Sequence, residues 1–392
     1  MSTQTTTPPR REQVRAVLLA MIMVTSVFAM SVSFVGTTTA ASGEPAPTTE
    51  LNETLSTEID TVSNIEYDSN GGIMFITGAD SGANNKLWAV DPSTQAIQWS
   101  EEIAELDGNE EIEFNQNYVF LLHSDEILAF DRGSGAHASF TTGLSTANKF
   151  NDIDAGSDYL YVAAQSTDVD HNGLYVLEPD TANTQFNIIQ ESISQESVAA
   201  LAINENNNKL AIFSPFDSID VFDIEKSPFN IDTNNPTVIH DLSEDYTDPD
   251  LSAVGLEYGS EDIYLFEHNS TSGSIGPGHM RALSVDTDAT TISESWRTSL
   301  AGVGYDPTHA NFGYDENWVY TLDKTSNDAV ALDRADGTVG WTINNDVDAD
   351  ARVDAITPGA DGDSIDLFAY VESAGAYLWG IADGLTTTDS TS

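Results

Sequence analysis

The stretch "KLWAVDPSTQAIQW", residues 86–99, constrains this chain most, because variants of it return along almost the whole sequence. An apolar strand ends on Asp91, a turn follows, and a second strand ends on Trp99. "EILAFDRGSGAHASF" (126–140) and "DAVALDRADGTVGW" (328–341) repeat the pattern, and "GLYVLEP", "SIDVFDI", "MRALSVD" and "GAYLWGI" carry its first half. Ahead of each lies another apolar strand, such as "GIMFITG", "NYVFLLH", "DYLYVAA" or "NWVYTLD", and ahead of that a weaker one, such as "TVSNIEY" or "SAVGLEY". The unit therefore has four strands and a period of roughly 40 to 55 residues. Helical periodicity is absent. Alternating β-branched and aromatic residues bounded by Gly, Asp and Asn predict antiparallel hairpins.

One four-stranded unit cannot cover both of its faces, but radial stacking against two neighbours can. The predicted fold is all-β: a roughly seven-bladed β-propeller of four-stranded antiparallel blades. Length alone predicts two or three domains, and the repeat overrides that. The last unit, ending at "GAYLWGI", lacks its outer strand. "LNETLSTEID", residues 51–60, has outer-strand character, so the ring is expected to be closed by an N-terminal strand that hides the open edge. The predicted division is 1–41 signal peptide, 42–50 linker, 51–384 propeller and 385–392 tail.

Charge narrows the setting. The chain has 64 Asp plus Glu against 13 Lys plus Arg, a net charge of −51. The acids are spread among Val, Ile, Leu, Phe and Tyr, and hydrophobic residues make up 40%, which is enough for a core rather than an acidic tail. Such a fold repels itself in dilute buffer. In molar salt the Debye length falls to roughly 3 Å and the repulsion is screened. The composition reads as haloadapted, and it argues against nucleic acid and anionic membranes as partners. The absence of cysteine excludes disulfides, thiolate metal sites, a cysteine nucleophile and a lipidated N-terminal cysteine.

Arg10, Arg11 and Arg15 precede the apolar run "AVLLAMIMVTSVFAMSVSFVG", and small residues, "TTTAAS", follow it. These are the three regions of a signal peptide. The run is also long enough to span a bilayer, so an uncleaved anchor is the competing expectation. With cleavage, no membrane insertion remains, and the location is extracellular or cell-surface. The segment resembles the signal of haloarchaeal S-layer and related surface glycoproteins, which implies export from an archaeal cell and nothing about activity.

The repeats "LWAVDPSTQAIQW" and "AVALDRADGTVGW" resemble the pyrroloquinoline-quinone-type (quinoprotein-like) propeller repeat. "ILAFDRGSGAHASF" carries the pattern with Phe140 in the Trp position. The resemblance covers nearly all of the mature chain and implies a fold. In the dehydrogenases that give the repeat its name, it also implies quinone, a calcium site and often paired cysteines. This chain has fewer blades and no cysteine, so quinone is disfavoured as a cofactor.

Trp88, Trp99, Trp296, Trp341 and Trp379 sit at repeated strand positions and read as blade packing rather than a cofactor stack. Asp91, Asp131 and Asp333 recur at one turn position, where Asp bonds its own backbone. Two acidic loops depart from the repeat and are candidate Ca²⁺ sites. "DVDHNG" offers Asp168, Asp170 and Asn172 with Gly173 at the turn, but Pro179 stands at the twelfth position. "DVDADARVD" offers Asp346, Asp348, Asp350 and Asp354, with Ala351 in place of the glycine. Chance Asp-x-Asp runs in so acidic a chain are the alternative. Asn52 in "NET" and Asn269 in "NST" are glycosylation acceptors. His123, His171 and His240 show no metal spacing, and no nucleophile elbow or phosphate loop is present. No catalytic residue is assigned.

The expected role is an exported cell-surface module that binds or scaffolds a protein or a glycan. Competing expectations are a quinone-dependent dehydrogenase or other propeller enzyme, and an envelope assembly scaffold like the propeller lipoproteins of bacterial outer membranes. A convergent charged cluster in the central channel would favour an enzyme. Dialysis below roughly 0.5 M salt unfolds or aggregates the domain as screening is withdrawn. A β-sheet circular dichroism spectrum and melting point that stay unchanged in dilute buffer would refute haloadaptation.

Overall fold

The computed structural model describes residues 38–40, 48–54 and most of 58–382. Connecting stretches that include 141–147, 167–172, 242–250, 301–311, 344–351 and 360–366 lie outside it, as do 1–37 and 383–392. Among the described residues there are strands and no helix.

Two N-terminal strands, β1 (Thr38–Ala40) and β2 (Thr48–Thr54), precede the repeats. Blade 1 is β3 (Thr61–Asp68), β4 (Ile73–Ala79), β5 (Asn85–Asp91) and β6 (Ala96–Glu102). Blade 2 is β7 (Glu111–Phe114), β8 (Tyr118–His123), β9 (Glu126–Asp131) and β10 (His137–Phe140). Blade 3 is β11 (Asn148–Ala155), β12 (Leu160–Ser166), β13 (Gly173–Asp180) and β14 (Gln185–Ile193). Blade 4 is β15 (Ala200–Asn204), β16 (Lys209–Ser214), β17 (Ser218–Asp223) and β20 (Val238–Asp241). A two-residue ladder, β18 (Glu225–Lys226) with β19 (Phe229–Asn230), is inserted before its outer strand. Blade 5 is β21 (Leu251–Tyr258), β22 (Asp262–Thr271), β23 (Ser274–Asp286) and β24 (Thr291–Leu300). Blade 6 is β25 (Phe312–Tyr314), β26 (Trp318–Asp323), β27 (Asp328–Asp333) and β28 (Val339–Ile343), with β1 added at its outer edge. Blade 7 has three strands of its own, β29 (Arg352–Pro358), β30 (Leu367–Glu372) and β31 (Ala376–Ala382), and takes β2 as its fourth. The fold is thus a seven-bladed propeller, as the repeat predicts.

The core follows the same logic. Among the described residues, buried apolar side chains form seven clusters, one between each pair of neighbouring blades. Strand alternation divides each blade between two of them. On β4, Met74 and Ile76 face blade 7 while Phe75 faces blade 2. Trp88 and Trp341 are fully buried in such clusters, and Trp296 is 7% exposed. Trp99 and Trp296 lock one blade to the next. Each indole N–H donates to the turn of the following blade, to the Arg132 carbonyl at 2.8 Å and to the Arg334 carbonyl at 2.9 Å. Those turns need glycine at Gly135 (φ +74°) and Gly337 (φ +71°), where a Cβ would also strike the Trp99 and Trp296 rings. The repeated turn aspartates act as expected. Asp91 accepts from the Ser93 amide at 2.9 Å, Asp131 from Ser134 at 2.9 Å and Asp333 from Ala335 at 2.7 Å.

Closure uses β2 paired antiparallel with β31, from Thr48 opposite Ala382 to Thr54 opposite Tyr377. The strand starts three residues earlier than the 51–60 reading and stops at Thr54. An outer strand has one neighbour and open solvent on its other edge, so side-chain pattern marks its ends poorly. Ile59 leaves the strand and fills the cluster between blades 7 and 1. Strands from before and after the other six blades thus make up the last blade. Deleting residues 48–60 will lower the melting temperature of the whole domain in one cooperative transition, whereas removing 385–392 will change it little. Equal melts for the two truncations would show that the ring closes without β2.

Candidate functional site

The innermost strands β3, β7, β11, β21, β25 and β29 converge on a cavity of about 290 Å³ along the propeller axis. Its walls include Glu66, Glu111, Glu113, Asp154 and Glu257, with the rings of Tyr67, Phe114, Phe312 and Tyr314. No Lys, Arg or His is among the lining residues.

The carboxylates arise from the repeat. On each inner strand, one residue stands two positions before the residue that leads into the first hairpin turn (Asp68, Asn115, Gly156, Asn204, Gly259, Asp315 and Gly359). That position holds Glu66, Glu113, Asp154, Ala202, Glu257, Gly313 and Thr357 in blades 1 to 7. An inner strand has an unpaired edge toward the axis, and its N–H groups need acceptors. The side chains supply them from the preceding blade. The Ile203 amide donates to Asp154 at 2.6 Å, and the Tyr67 amide donates to the Thr357 hydroxyl at 3.2 Å. Two residues earlier on the strands, the Ile153 amide donates to Glu111 at 3.1 Å and the Leu201 amide to Asp152 at 2.6 Å. Asn64, Asn115 and Asn204 extend the stitching by donating side-chain N–H to the carbonyls of Glu110 (3.0 Å), Gly156 (3.1 Å) and Gly259 (2.5 Å).

Glu113 and Glu257 take the same register as Asp154 and face the cavity with only like charge around them. Burial raises Glu113 well above the ordinary carboxyl range, and Asp154, Glu66, Glu257 and Asp152 add to it. Glu257 is raised in the same way by burial, then by Asp154, Glu66 and Asp152. Burial pushes Glu66 up to about 8, against a hydrogen bond from Thr357 that lowers it. Burial pushes Asp154 up to about 7, partly offset by the Ile203 amide. Glu111 is raised by burial and by Asp152 beside it.

Two guanidinium groups stand behind the aromatic walls. Arg132 lies 5.9 Å from the Phe114 ring centre, donates to the Asn115 carbonyl at 3.1 Å and pairs with Asp68. Arg334 lies 5.5 Å from the Tyr314 ring centre and donates to the Asp315 carbonyl at 3.0 Å. Both fix inner-strand ends.

Of the residues singled out in the sequence, Asp168, Asp170, Asn172, Asp346, Asp348 and Asp350 lie outside the described residues. Asp354 is on β29, away from the cavity lining. Asn52 lies on β2 opposite Trp379, and Asn269 on β22 opposite Leu251. His171 is outside the described residues, and neither His123 nor His240 lines the cavity. Among the described residues, no group of three or more His, Asp or Glu is placed to hold a metal ion. The channel carboxylates were missed in the sequence because they sit on the weakest strand of each unit. Their signal was the recurrence of an acid in "NIEYD", "EIEFN", "DIDAG" and "GLEYG".

No protein-family model matches the chain, and no curated protein does. Solved structures do. The chain is similar to the β-propeller domain of Nup133 from Vanderwaltozyma polyspora, with 11% identity, TM-score 0.56, and coverage of 88% of this chain and 100% of that one. It is also similar to the WD40 domain of Pan2 from Neurospora crassa, with 11% identity, TM-score 0.51 and coverage of 82% and 89%. BamB from Moraxella catarrhalis matches at 13% identity, TM-score 0.44 and coverage of 88% and 99%. At these identities the likeness is one of fold.

The cavity carboxyls titrate higher in the folded chain than in the unfolded one, so between the two values the folded state binds more protons. Their contribution to stability is complete below the ordinary carboxyl range and is lost as pH rises through about 7 for Asp154 and about 8 for Glu66. At fixed molar salt, the melting temperature will fall from about pH 5.5 to about pH 8.5. Glu66→Gln will flatten that slope. A melting temperature that rises with pH over this window would contradict the titration assigned to the cavity.

Proposed function

We propose that the chain is an exported, haloadapted propeller that works at the cell surface as a binding or scaffolding module for a protein or a glycan. The observation that carries this reading is the axial cavity itself. Inner strands of six blades meet there and present carboxylates and aromatic rings, with no imidazole or amine among the lining residues. Carboxylates accept hydrogen bonds from hydroxyl and N–H donors, and rings pack on C–H faces, which suits a sugar or a polar side chain. The leader and the acidic composition support export into a salty exterior.

The cavity does not fit the cofactor of the quinone enzymes. Pyrroloquinoline quinone carries carboxylates of its own, and here it would meet at least five more with no lining cation to oppose them. A second reading is favoured by one observation. Carboxyls held up to about 7 and about 8 are proton donors at neutral pH beside further carboxylates, which is the equipment of a hydrolase acting on a glycosidic bond.

One experiment separates the two. The mature protein, immobilised in molar salt, is exposed to envelope polysaccharide and solubilised envelope proteins, with Glu113→Gln beside it. The binding reading expects retention of an envelope component and no release of reducing sugar. Reducing-sugar release that Glu113→Gln abolishes would establish the hydrolase, and neither retention nor release would overturn both readings.

A further inference from the structure

Glu113 and Glu257 pose a problem that the fold does not solve. Both residues are half-buried, their carboxyls face the axial cavity, and the groups acting on them are other acids. Asp154, in the equivalent register, has the Ile203 amide as donor. No described hydrogen bond reaches Glu113 or Glu257. A carboxyl crowded by like charge in a confined cavity either holds a proton or finds a cation. The chain has few cations to give, 13 Lys plus Arg in 392 residues. Two of them, Arg132 and Arg334, stand behind Phe114 and Tyr314 and are committed to inner-strand carbonyls. A cation that displaces those protons therefore comes from outside the chain.

The shape of the cavity narrows which cation fits. The described residues offer no set of three acids close enough to chelate a metal ion. Instead the carboxylates are interleaved with Tyr67, Phe114, Phe312 and Tyr314, ring faces that attract a diffuse positive charge and cover alkyl carbons. Ala202, Gly313 and Thr357 occupy the carboxylate register in blades 4, 6 and 7, so the register acids come from blades 1, 2, 3 and 5. About 290 Å³ accommodates one small molecule.

We propose that the axial cavity binds a small organic cation, an ammonium-bearing amine held by Glu113 and Glu257 against the walls of Tyr67, Phe114, Phe312 and Tyr314. The proposal rests on the reading of the chain as a binding module and names the chemistry that its central site accepts. The amine takes the place of protons on the carboxyls, so binding releases protons to the buffer. Titratable groups facing the two carboxyls are Glu66, Asp152, Asp154 and, beside Glu257, the Tyr314 hydroxyl, and none of them carries positive charge.

The test is calorimetric titration of the mature protein with putrescine and with tetramethylammonium in molar NaCl, repeated in buffers of different ionisation enthalpy. The expected result is one site per chain, a heat that scales with buffer ionisation enthalpy, and a rise in melting temperature with putrescine. Glu113→Gln and Glu257→Gln should each weaken binding at least tenfold while Asp336→Asn, at a surface turn, leaves it unchanged. The variants must melt cooperatively in molar salt. Should one fail to fold, Glu66→Gln and the wild-type proton release carry the same test. No heat and no stabilisation at millimolar amine would overturn the proposal. So would equal stabilisation by CaCl₂ at the same concentration, or amine binding insensitive to both Gln variants. Retention of envelope components with no amine binding would refute this inference and leave the binding module standing.

Discussion

Every blade of this propeller has two apolar faces, and neither can be covered from within the blade. That single constraint organises the molecule. It divides the core into seven clusters, one at each interface, and makes each the joint property of two repeats. It also explains the tryptophans. Trp99 and Trp296 reach across to the turn of the next blade, and Gly135 and Gly337 exist to let the indoles approach. With the interface between blades 7 and 1 open, two apolar faces would be exposed at once, which is why β2 matters more than its polar sequence implies.

Closing the ring creates a second problem at its centre. Seven inner strands turn unpaired edges toward the axis, and their N–H groups must be satisfied by side chains of the neighbouring blade. Glu111, Asp152, Asp154 and Thr357 do this. Acids are good acceptors for the task, but each also places charge in a confined space. The cavity chemistry is therefore a by-product of edge satisfaction wherever an amide is found, and an unresolved charge wherever, as at Glu113 and Glu257, none is described.

The fold was legible in the sequence because packing is periodic. Strand alternation, the Asp turns and the spacing of aromatic residues all follow from an architecture that repeats, and the missing outer strand of the last unit could be inferred by count. The bounds of β2 were less legible, because an edge strand half in solvent carries little pattern. The two-residue ladder of β18 and β19 has no periodic signal at all. The candidate site was hidden for a different reason. An acid on a weak inner strand looks like one more of 64, and only the ring brings Glu66, Glu113, Asp154 and Glu257 around a common axis. The acidic loops stand out in the sequence by local density of charge, and all their candidate ligands but Asp354 lie outside the described residues.

The pairing of β2 with β31 has a consequence for synthesis. β2 is made before any blade and waits for β31, with all the blades between them. Contacts so distant in sequence form late and slowly, since the intervening loop must be closed before they contribute. While the chain is still emerging, blades can stack one upon another but the ring stays open, with apolar faces at each end. A product terminated just short of Ala376 would contain almost every blade and still lack its closure. Such a fragment presents a bare sheet edge to its neighbours and is a candidate for aggregation or proteolysis rather than partial function. Closure of the ring thus reports that synthesis has passed β31.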